Sequence, residues 1–382
     1  MPARLALAIA AVALVSSSLP APAAADDGRP RPMLQGLAFP TNMAFLPDGT
    51  LLFTEKETGS VRVVTPDGAL LDRPFITLPV MGGLERGLLG IAVHPRFAAE
   101  PWVYLYRSDP SRGRNTLVRV RADGDVATGE PETMLDGLAA TAGYHNGGDL
   151  VFAPDGTLFV SLGEAHEPGR AQDPTDIGGK ILRLESDGSV PADNPFGEAN
   201  PVWSIGHRNS FGLCVDPVSG ELWETENGPD RDDEVNLVEE GGNFGWPVVT
   251  GIADDPRFVD PVVVFREPIA VTGCAVLDGV VWFGSFDGRV WRLQSPADPV
   301  EVARFDAGVT DVALGPDGLV YVSTPDAIST VDPSASAGAA AGDDAGSSRD
   351  AWRSWLAVGA GVVLAGALVV RFLAGRRLRR QG

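Results

Sequence analysis

The sequence predicts an all-β fold, a six-bladed β-propeller over residues 26–332 of the 382-residue chain. One pattern recurs six times: a short apolar strand, often a Pro-Asp-Gly turn, and a second apolar strand. The copies begin at Met43, Ile91, Leu150, Leu213, Cys274 and Val312. Their spacing of about 40 to 60 residues suits four-stranded blades closing on a channel. Helical periodicity is scarce in this region, which argues for strands throughout. Two separate β domains are the alternative, which the even spread of the repeats disfavours.

The N-terminal segment, residues 1–25, is typical of a secretory signal peptide. Arg4 precedes the apolar run Leu5–Val15, and Ala23–Ala25 offers small residues for cleavage. An N-terminal membrane anchor is the alternative, but the run is short for a membrane span.

The C-terminal segments have three different compositions. Residues 333–351 are rich in Ala, Gly, Ser and Asp and predict a flexible linker. Residues 352–374 are almost free of charge and predict one transmembrane helix, followed by an arginine-rich cytoplasmic tail at 375–382. A buried core helix is the alternative for the apolar span. We therefore expect a soluble body held on the extracellular side of the cell membrane.

The charge of the body excludes some partners. Residues 26–350 contain all 51 acidic residues and 23 of the 30 basic ones, a net charge of −28. Such a surface repels nucleic acid and anionic lipid, so no nucleic-acid partner is expected. Lys56 and Lys180 are the only lysines of the chain, so we expect arginines to bind any anionic cofactor.

The two cysteines, Cys214 and Cys274, fall in neighbouring blades. An oxidising compartment allows a disulfide between them. Counted from the turn of each repeat, however, they lie one position out of phase, which predicts side chains on opposite faces. The sequence therefore favours buried free thiols.

Two glycine-rich stretches in successive blades contain the candidate site. Tyr144–Leu150 places His145 just before a strand, and Gly206–Gly212 places Arg208 and Asn209 similarly. Loops that enter the innermost strands of a propeller meet at the channel mouth, so these side chains are expected there. An imidazole can accept a proton near neutral pH, and a guanidinium can stabilise an oxyanion. A turn-capping histidine and a blade-to-blade ion pair are the alternatives.

An acidic cluster follows the second stretch. Gly228 and Pro229 form a tight turn beside Asp232–Glu234. Carbonyl and carboxylate oxygens are the ligands that calcium prefers. A solvated acidic loop is the alternative.

Taken in order, these motifs resemble the soluble quinoprotein sugar dehydrogenases of the glucose/sorbosone dehydrogenase type. The resemblance covers roughly residues 36–324. Its segments are Gly87–Pro95, His145–Leu150, Ser161–Glu164, Gly179–Arg183, Asp193–Phe196, Gly206–Gly212, Glu226–Asn236 and Gly242–Pro247. It implies a six-bladed propeller that binds pyrroloquinoline quinone (PQQ) and calcium and oxidises sugars at the anomeric carbon.

The resemblance also implies roles for matched residues around the cofactor. His145 matches the general base that takes the proton of the sugar hydroxyl as hydride passes to the quinone. Arg208 matches the cation beside the reacting quinone carbonyl, and Asn209 a cofactor hydrogen-bonding partner. Glu85 stands where the family often has a cofactor-contacting Gln. Glu164 is either a calcium or substrate contact or a turn residue.

The resemblance implies two calcium sites. Gly228 and Pro229 match the backbone carbonyls that hold calcium against the quinone. Glu234 and the carbonyl of Phe244 match a further calcium site of structural character.

The chain departs from the family pattern in the last two blades. Asp287, Gly308 and Thr310 stand where the family carries basic residues that bind the PQQ carboxylates. The arginines that could replace these cations are Arg266, Arg289 and Arg304.

These observations predict a membrane-tethered extracellular oxidoreductase that transfers hydride from an aldose to PQQ with the help of calcium. Its partners would be a small-molecule sugar, the membrane through the C-terminal helix, and an electron acceptor at the membrane. A non-catalytic, calcium-stabilised propeller that binds a protein or a glycan is the main alternative. A calcium-dependent lactonase-type hydrolase is a third possibility.

Overall fold

The computed structural model describes residues 29–140, 142–295 and 298–334. These ranges contain 24 β-strands and, apart from one 3-10 helix at Pro168–Gln172, no helix. None of their helical structure is long and apolar enough to cross a membrane. The predicted signal peptide, membrane helix and basic tail lie outside the described residues, as does the linker beyond residue 334.

The strands form six antiparallel sheets of four strands each, which confirms the all-β six-bladed propeller. Blade 1 contains β2 (Pro40–Phe45), β3 (Leu51–Glu55), β4 (Ser60–Val64) and β5 (Ile76–Thr77). Blade 2 contains β6 (Leu88–Val93), β7 (Trp102–Asp109), β8 (Arg114–Asp123) and β9 (Val126–Ala139). Blade 3 contains β10 (Leu150–Phe152), β11 (Leu158–Leu162), β12 (Lys180–Leu184) and β13 (Val202–Ile205).

The other three blades follow the same plan. Blade 4 contains β14 (Ser210–Val215), β15 (Leu222–Glu226), β16 (Asp233–Val238) and β17 (Val263–Phe265). Blade 5 contains β18 (Val271–Leu277), β19 (Val280–Ser285), β20 (Arg289–Ser295) and β21 (Asp298–Arg304). Blade 6 contains β22 (Asp311–Leu314), β23 (Val320–Thr324), β24 (Ala327–Val331) and, from the N-terminal side, β1 (Arg31–Gln35).

The first strand of each repeat lies innermost. These strands, β2, β6, β10, β14, β18 and β22, contact one another in succession, and contact between β22 and β2 closes the ring. All six repeat copies seen in the sequence begin within them. Pairing of β1 with β24 joins the two ends of the propeller in one sheet.

Packing between blades explains why the strands read as continuous apolar runs. Side chains alternate between the two faces of a strand. In β7, Val103 and Leu105 pack against blade 1, whereas Tyr104 and Tyr106 pack against blade 3. Both faces of the sheet are therefore buried, and the core is divided among the blade interfaces.

The prediction of free thiols is wrong, because Cys214 in β14 and Cys274 in β18 form a disulfide with their Cα atoms 5.6 Å apart. Cys214 faces blade 5, whereas its neighbours Leu213 and Val215 face blade 3. Cys274 lies with Val276 on the side of β18 that faces blade 4. The two cysteines thus point to opposite faces of their own sheets, as predicted, but adjacent blades meet through opposite faces, so this phase brings the two sulfur atoms together.

Candidate active site

A cavity of about 110 Å³ lies at the channel mouth, where the loops that enter the innermost strands converge. Residues from all six blades line it. Its charged lining residues are Lys56, Glu85, Asp149 and Asp311. The amides of Asn146 and Asn209 also border it. Two predicted cofactor-binding residues, Glu85 and Asn209, therefore share one cavity.

His145 lies in the loop before β10 with a left-handed backbone, at a φ of 53°. Its N–H donates to Oε2 of Glu85 at 2.6 Å, and its Nδ1 lies 2.6 Å from Oε1 of Glu164. Gly163 permits this approach, since a Cβ there would lie 2.2 Å from the His145 carbonyl oxygen. His145 is 7% exposed and Glu164 only 1%. With Nδ1 engaged, Nε2 remains for a ligand, which a turn-capping role alone would not require.

A second imidazole covers His145. The ring of His166 stacks on it with centroids 4.3 Å apart and planes 17° apart. His166 is exposed. Burial, and then the electrostatic influence of His145, lowers the pKa of His166. A neutral ring therefore shields one face of His145 at neutral pH.

Arg208 and Asn209 lie in the corresponding loop of the next blade. The backbone N–H of Arg208 donates to Glu226, and its Nη1 donates to the carbonyl of Asn227 at 2.9 Å. Its guanidinium lies over the ring of Trp246, 5.4 Å from the centroid. Burial lowers the pKa of Arg208, although four carboxylates oppose this effect. Within the described part of the chain, the Arg208 guanidinium forms no ion pair within 4.0 Å and bonds the Asn227 carbonyl instead, in contrast to the alternative of a blade-to-blade salt bridge.

Glu85 joins the two loops. Its Oε2 accepts the N–H of His145 and, at 3.4 Å, the amide of Asn209. The neighbouring Arg86 instead donates through Nε to the carbonyl of Gly83 at 3.3 Å. The Glu85 carboxylate therefore links the two loops by accepting hydrogen bonds from two uncharged N–H groups.

The four predicted calcium ligands lie around one small cavity of about 10 Å³. Gly228, Pro229, Glu234 and Phe244 all line it, together with Glu226. Burial, and then the charge of Glu226, raises the pKa of Glu234 to about 8. The structure therefore brings the two predicted calcium sites together in one oxygen-rich cavity.

The acidic loop is not a solvated loop. Asp232, Asp233 and Glu234 are 2%, 2% and 7% exposed. Asp233 accepts the N–H of Gly228 at 2.9 Å and those of Ile269 and Ala270 at 2.8 and 2.7 Å. It fixes the turn before β16 against the loop before β18.

The same turn requires glycine at position 228. A Cβ on Gly228 would lie 2.0 Å from the Arg231 carbonyl oxygen. Only glycine allows the chain to fold back so closely.

A fully buried charged group lies behind Arg208. Nδ1 of His207 lies 3.0 Å from Glu224 and 3.3 Å from Glu226, and its Nε2 lies 2.8 Å from Oγ of Ser204. Although burial lowers it, the two carboxylates raise the pKa of His207 to about 9. An imidazolium at neutral pH supplies the positive charge that these carboxylates need. The ligand atoms are close enough for a metal, but this proton already accounts for the cluster.

At the three positions where the resembling family has basic residues, the side chains of this protein contact their own neighbours. Asp287 pairs with Arg289, and Thr310 exchanges a 2.7 Å hydrogen bond with Ser323. Gly308 packs against Phe286, whose ring a Cβ would approach to 2.8 Å.

The other two arginines considered as replacements are also paired. Arg266 contacts Asp232, and Arg304 contacts Glu301. Their side chains are 71% and 52% exposed. Neither belongs to the lining of the cavity.

Sequence reasoning missed three charged residues of the cavity. Lys56 follows the second strand of blade 1, far from the recognised motifs. Asp149 and Asp311 precede or begin innermost strands, the position at which His145 and Arg208 had already been noticed. That positional signal could have found the two aspartates, but no pattern in the sequence marked Lys56.

The family model for "Glucose / Sorbosone dehydrogenase" matches residues 37–331. The aldose sugar dehydrogenase YliI of Escherichia coli is 31% identical over 75% of this chain and 87% of its own length. The Synechocystis protein slr1608 is 35% identical over 77% of this chain and 83% of its own length.

The fold agrees with solved structures of the same group. The PQQ-bound aldose sugar dehydrogenase of Streptomyces coelicolor is 32% identical, with a TM-score of 0.72. The alignment covers 79% of this chain and 96% of that one. By sequence and by fold, the chain belongs to the glucose/sorbosone dehydrogenase family.

Proposed function

We propose that the protein is a quinoprotein dehydrogenase that oxidises an aldose-type sugar at its anomeric carbon. One observation carries the proposal: His145, which directly precedes the cavity-lining Asn146, is held by the buried carboxylate of Glu164. Its loop is joined through Glu85 to the loop of Arg208 and Asn209. Base, cation and amide are therefore held together by hydrogen bonds between adjacent blades.

His145 would accept the proton of the anomeric hydroxyl at Nε2. The Glu164 carboxylate fixes the orientation of the ring through Nδ1 and stabilises the positive charge that the ring gains. The covering ring of His166 excludes water from one face. These restraints leave the imidazole little freedom to turn away from a substrate.

Arg208 would stabilise negative charge on the acceptor side. Its guanidinium is held by the Asn227 carbonyl and by Trp246, so little reorganisation is needed when charge develops. Asn209 offers an amide donor beside it. When bound, PQQ would supply the hydride acceptor of the reaction.

The residues of the cavity fit a polar, anionic ligand. Asn146 lines it, and Nδ2 of this buried side chain has no hydrogen-bond partner among the described residues. Lys56 and Asn209 add further donors. Burial raises the pKa of Asp149 to about 6 and, with the charge of Asp149, raises that of Asp311 well above its usual range. Both shifts favour the uncharged form of these acids, which is the form that repels an anionic ligand least.

The smaller cavity fits a hard cation such as calcium. Glu226 and Glu234 are buried side by side, and burial raises the pKa of each. A divalent ion would replace the proton that Glu234 otherwise retains near neutral pH and would offset the charge of the neighbouring Glu226. Glu234 and the carbonyls of Gly228, Pro229 and Phe244 are the proposed ligands. The nearby Glu224 Oε1 and Asn236 Oδ1 are buried oxygens without hydrogen-bond partners in the described part of the chain.

We also propose that the propeller is exported and anchored at the cell membrane by residues 352–374. The support is the composition of the two chain ends. A tether would keep the reduced cofactor near an electron acceptor in the membrane. Cell fractionation tests this setting: the full-length protein should remain with the membrane after a salt wash, and release by salt would contradict it.

A binding-only propeller is the second candidate function. It is favoured by the internal use of Asp287, Gly308 and Thr310, which leaves the last two blades without free cations in the lining of the cavity. This alternative predicts neither cofactor binding nor turnover.

A dye-reduction assay distinguishes the candidates. The purified protein is supplied with PQQ and calcium and offered a panel of aldoses, with the matching methyl glycosides as controls because their anomeric hydroxyl is blocked. We expect turnover with the free sugars alone. Loss of turnover in a chelator and its recovery with calcium support the metal. Equal rates with the glycosides contradict oxidation at the anomeric carbon, and hydrolysis of lactones without dye reduction favours a hydrolase.

A further inference from the structure

Lys56 is a buried lysine at the edge of the central cavity. It follows β3 directly, and only 7% of its surface is exposed. Its Nζ donates to the carbonyl of Leu84 at 2.9 Å and pairs with Glu57. The same atom lies 4.9 Å from the centroid of the Phe39 ring. Three elements therefore hold the ammonium at this edge of the cavity.

Lys56 is the only positively charged side chain among the described residues that line the cavity. The last two blades contribute Gly273, Phe286, Thr310 and Asp311 to the lining, none of them basic. Arg208 borders the smaller cavity instead. An anionic ligand in the central cavity would thus find one cation on its blade 1 side.

The donors of Lys56 are not all used. An ammonium group has three N–H donors, and the Leu84 carbonyl and Glu57 account for two. Glu57 is 47% exposed on its side chain, so it can return to solvent when a better partner arrives. A cation shielded from water interacts with a carboxylate more strongly than an exposed one does.

We propose that Lys56 binds a carboxylate of the quinone cofactor and takes over the charge that basic residues of the last two blades supply in the resembling family. The inference rests on the proposed function and goes beyond it by assigning the anion contact to blade 1. It makes Lys56 of blade 1 the cation of the central cavity, while Arg208 of blade 4 borders the smaller cavity. Glu85 lines the same cavity as Lys56, and in the described residues it forms no ion pair with Lys56 or with Arg208.

Cofactor binding tests the inference without relying on activity. PQQ is titrated into the full-length protein with calcium present, and Kd is followed by quenching of tryptophan fluorescence. We expect Lys56→Met to raise Kd about tenfold or more, because a charge-assisted contact is worth about 1.5–3 kcal/mol. Lys56→Arg, which keeps the charge, should recover most of the affinity. The dependence of Kd on salt should also weaken in Lys56→Met, since one charge contact is lost.

Arg86→Met is the matched control. Arg86 lies near Glu57 but outside the lining of the cavity, and its removal changes the net charge equally. Its Kd should stay close to that of the wild type. Equal losses in Arg86→Met and Lys56→Met would overturn the inference, because net charge would then explain both.

The remaining outcomes are separable. Thermal unfolding of each variant identifies one that fails to fold, and Lys56→Gln then replaces Lys56→Met. If the wild type binds PQQ and the folded Lys56 variants bind it equally well, Lys56 has no such role. If the wild type binds no PQQ at all, the proposed function itself is wrong and the inference falls with it.

Discussion

At the scale of single residues, the site depends on how one imidazole is restrained. His145 is held through its backbone by Glu85, through Nδ1 by Glu164 and through its ring face by His166. Only Nε2 is left to react. The other carboxylate oxygen of Glu164, Oε2, has no hydrogen-bond partner in the described residues. The imidazole of His145 is therefore the side chain that this carboxylate contacts.

Replacing that carboxylate should slow the reaction without changing cofactor affinity. Glu164→Gln keeps the shape of the side chain but removes the charge that stabilises the protonated ring. We expect kcat to fall at least tenfold, in the range that general-base support provides. Steady-state kinetics and the PQQ titration together make the measurement.

Glu167→Gln is the control for this prediction. Glu167 lies in the same loop, but its side chain is 65% exposed and pairs with Arg170 rather than with His145. Its kcat should match the wild type. A Glu164→Gln enzyme with full kcat would show that His145 needs no carboxylate partner.

At the scale of secondary-structure elements, polar side chains near the channel fasten the innermost strands to one another. Asn42 accepts the N–H of Ile91, and Asp311 accepts that of Met43. Asp149 accepts the N–H of Leu213 at 2.7 Å. Each contact crosses from one blade to the next, so these residues set the diameter of the cavity as well as lining it.

Asp149 gives this network a pH dependence. Burial raises the pKa of Asp149 to about 6, above the usual value near 3.8. The folded state therefore holds this proton more tightly, and that stabilisation is lost as pH rises through 6. Relative to Asp149→Asn, which cannot titrate, the wild type should lose about 2 kcal/mol of unfolding free energy between pH 4 and pH 7.

Denaturant unfolding of both proteins across that pH range checks the sign. The stability difference, wild type minus variant, should decrease steadily with pH. A difference that stays constant or increases would mean that Asp149 is ionised throughout and that its hydrogen bonds outweigh its burial.

The disulfide is the covalent counterpart of this network, since it links β14 to β18 across a separation of 60 residues. Loop-closure entropy for such a separation amounts to about 4 kcal/mol. Replacing both cysteines with serine should therefore lower the Tm of the propeller.

Alkylation provides a direct check: the native protein should take up no label, whereas labelling of both cysteines before reduction would restore the free-thiol prediction.

At the scale of the whole molecule, the sequence predicted the architecture because six repeats carry their own turns and apolar strands. It also predicted which loops meet, since His145 and Arg208 precede innermost strands. The sequence could not predict the role of Lys56. That role follows from the absence of basic side chains from blades 5 and 6 in the described lining of the cavity. The sequence pattern placed Cys214 and Cys274 on opposite faces of their sheets but could not show that adjacent blades meet through opposite faces, so that the two side chains face each other.

The acidic loop shows the same limit. Asp232–Glu234 looks like a surface charge run, but interblade packing buries all three residues. Burial of a charge depends on partners from distant segments, here Arg266, Ile269 and Ala270. No local pattern contains that information.

The central claim is that a ring-shaped, acidic protein holds an imidazole and a cation beside an electron-accepting quinone. An anaerobic spectral titration tests it most directly: the PQQ-loaded protein is mixed with an aldose, and absorbance of the oxidised quinone is followed over time. In the wild type the absorbance should disappear on addition of sugar. In His145→Ala, PQQ should bind with similar affinity, but its absorbance should persist. No loss of absorbance in the wild type, or equally fast loss in His145→Ala, would contradict the account.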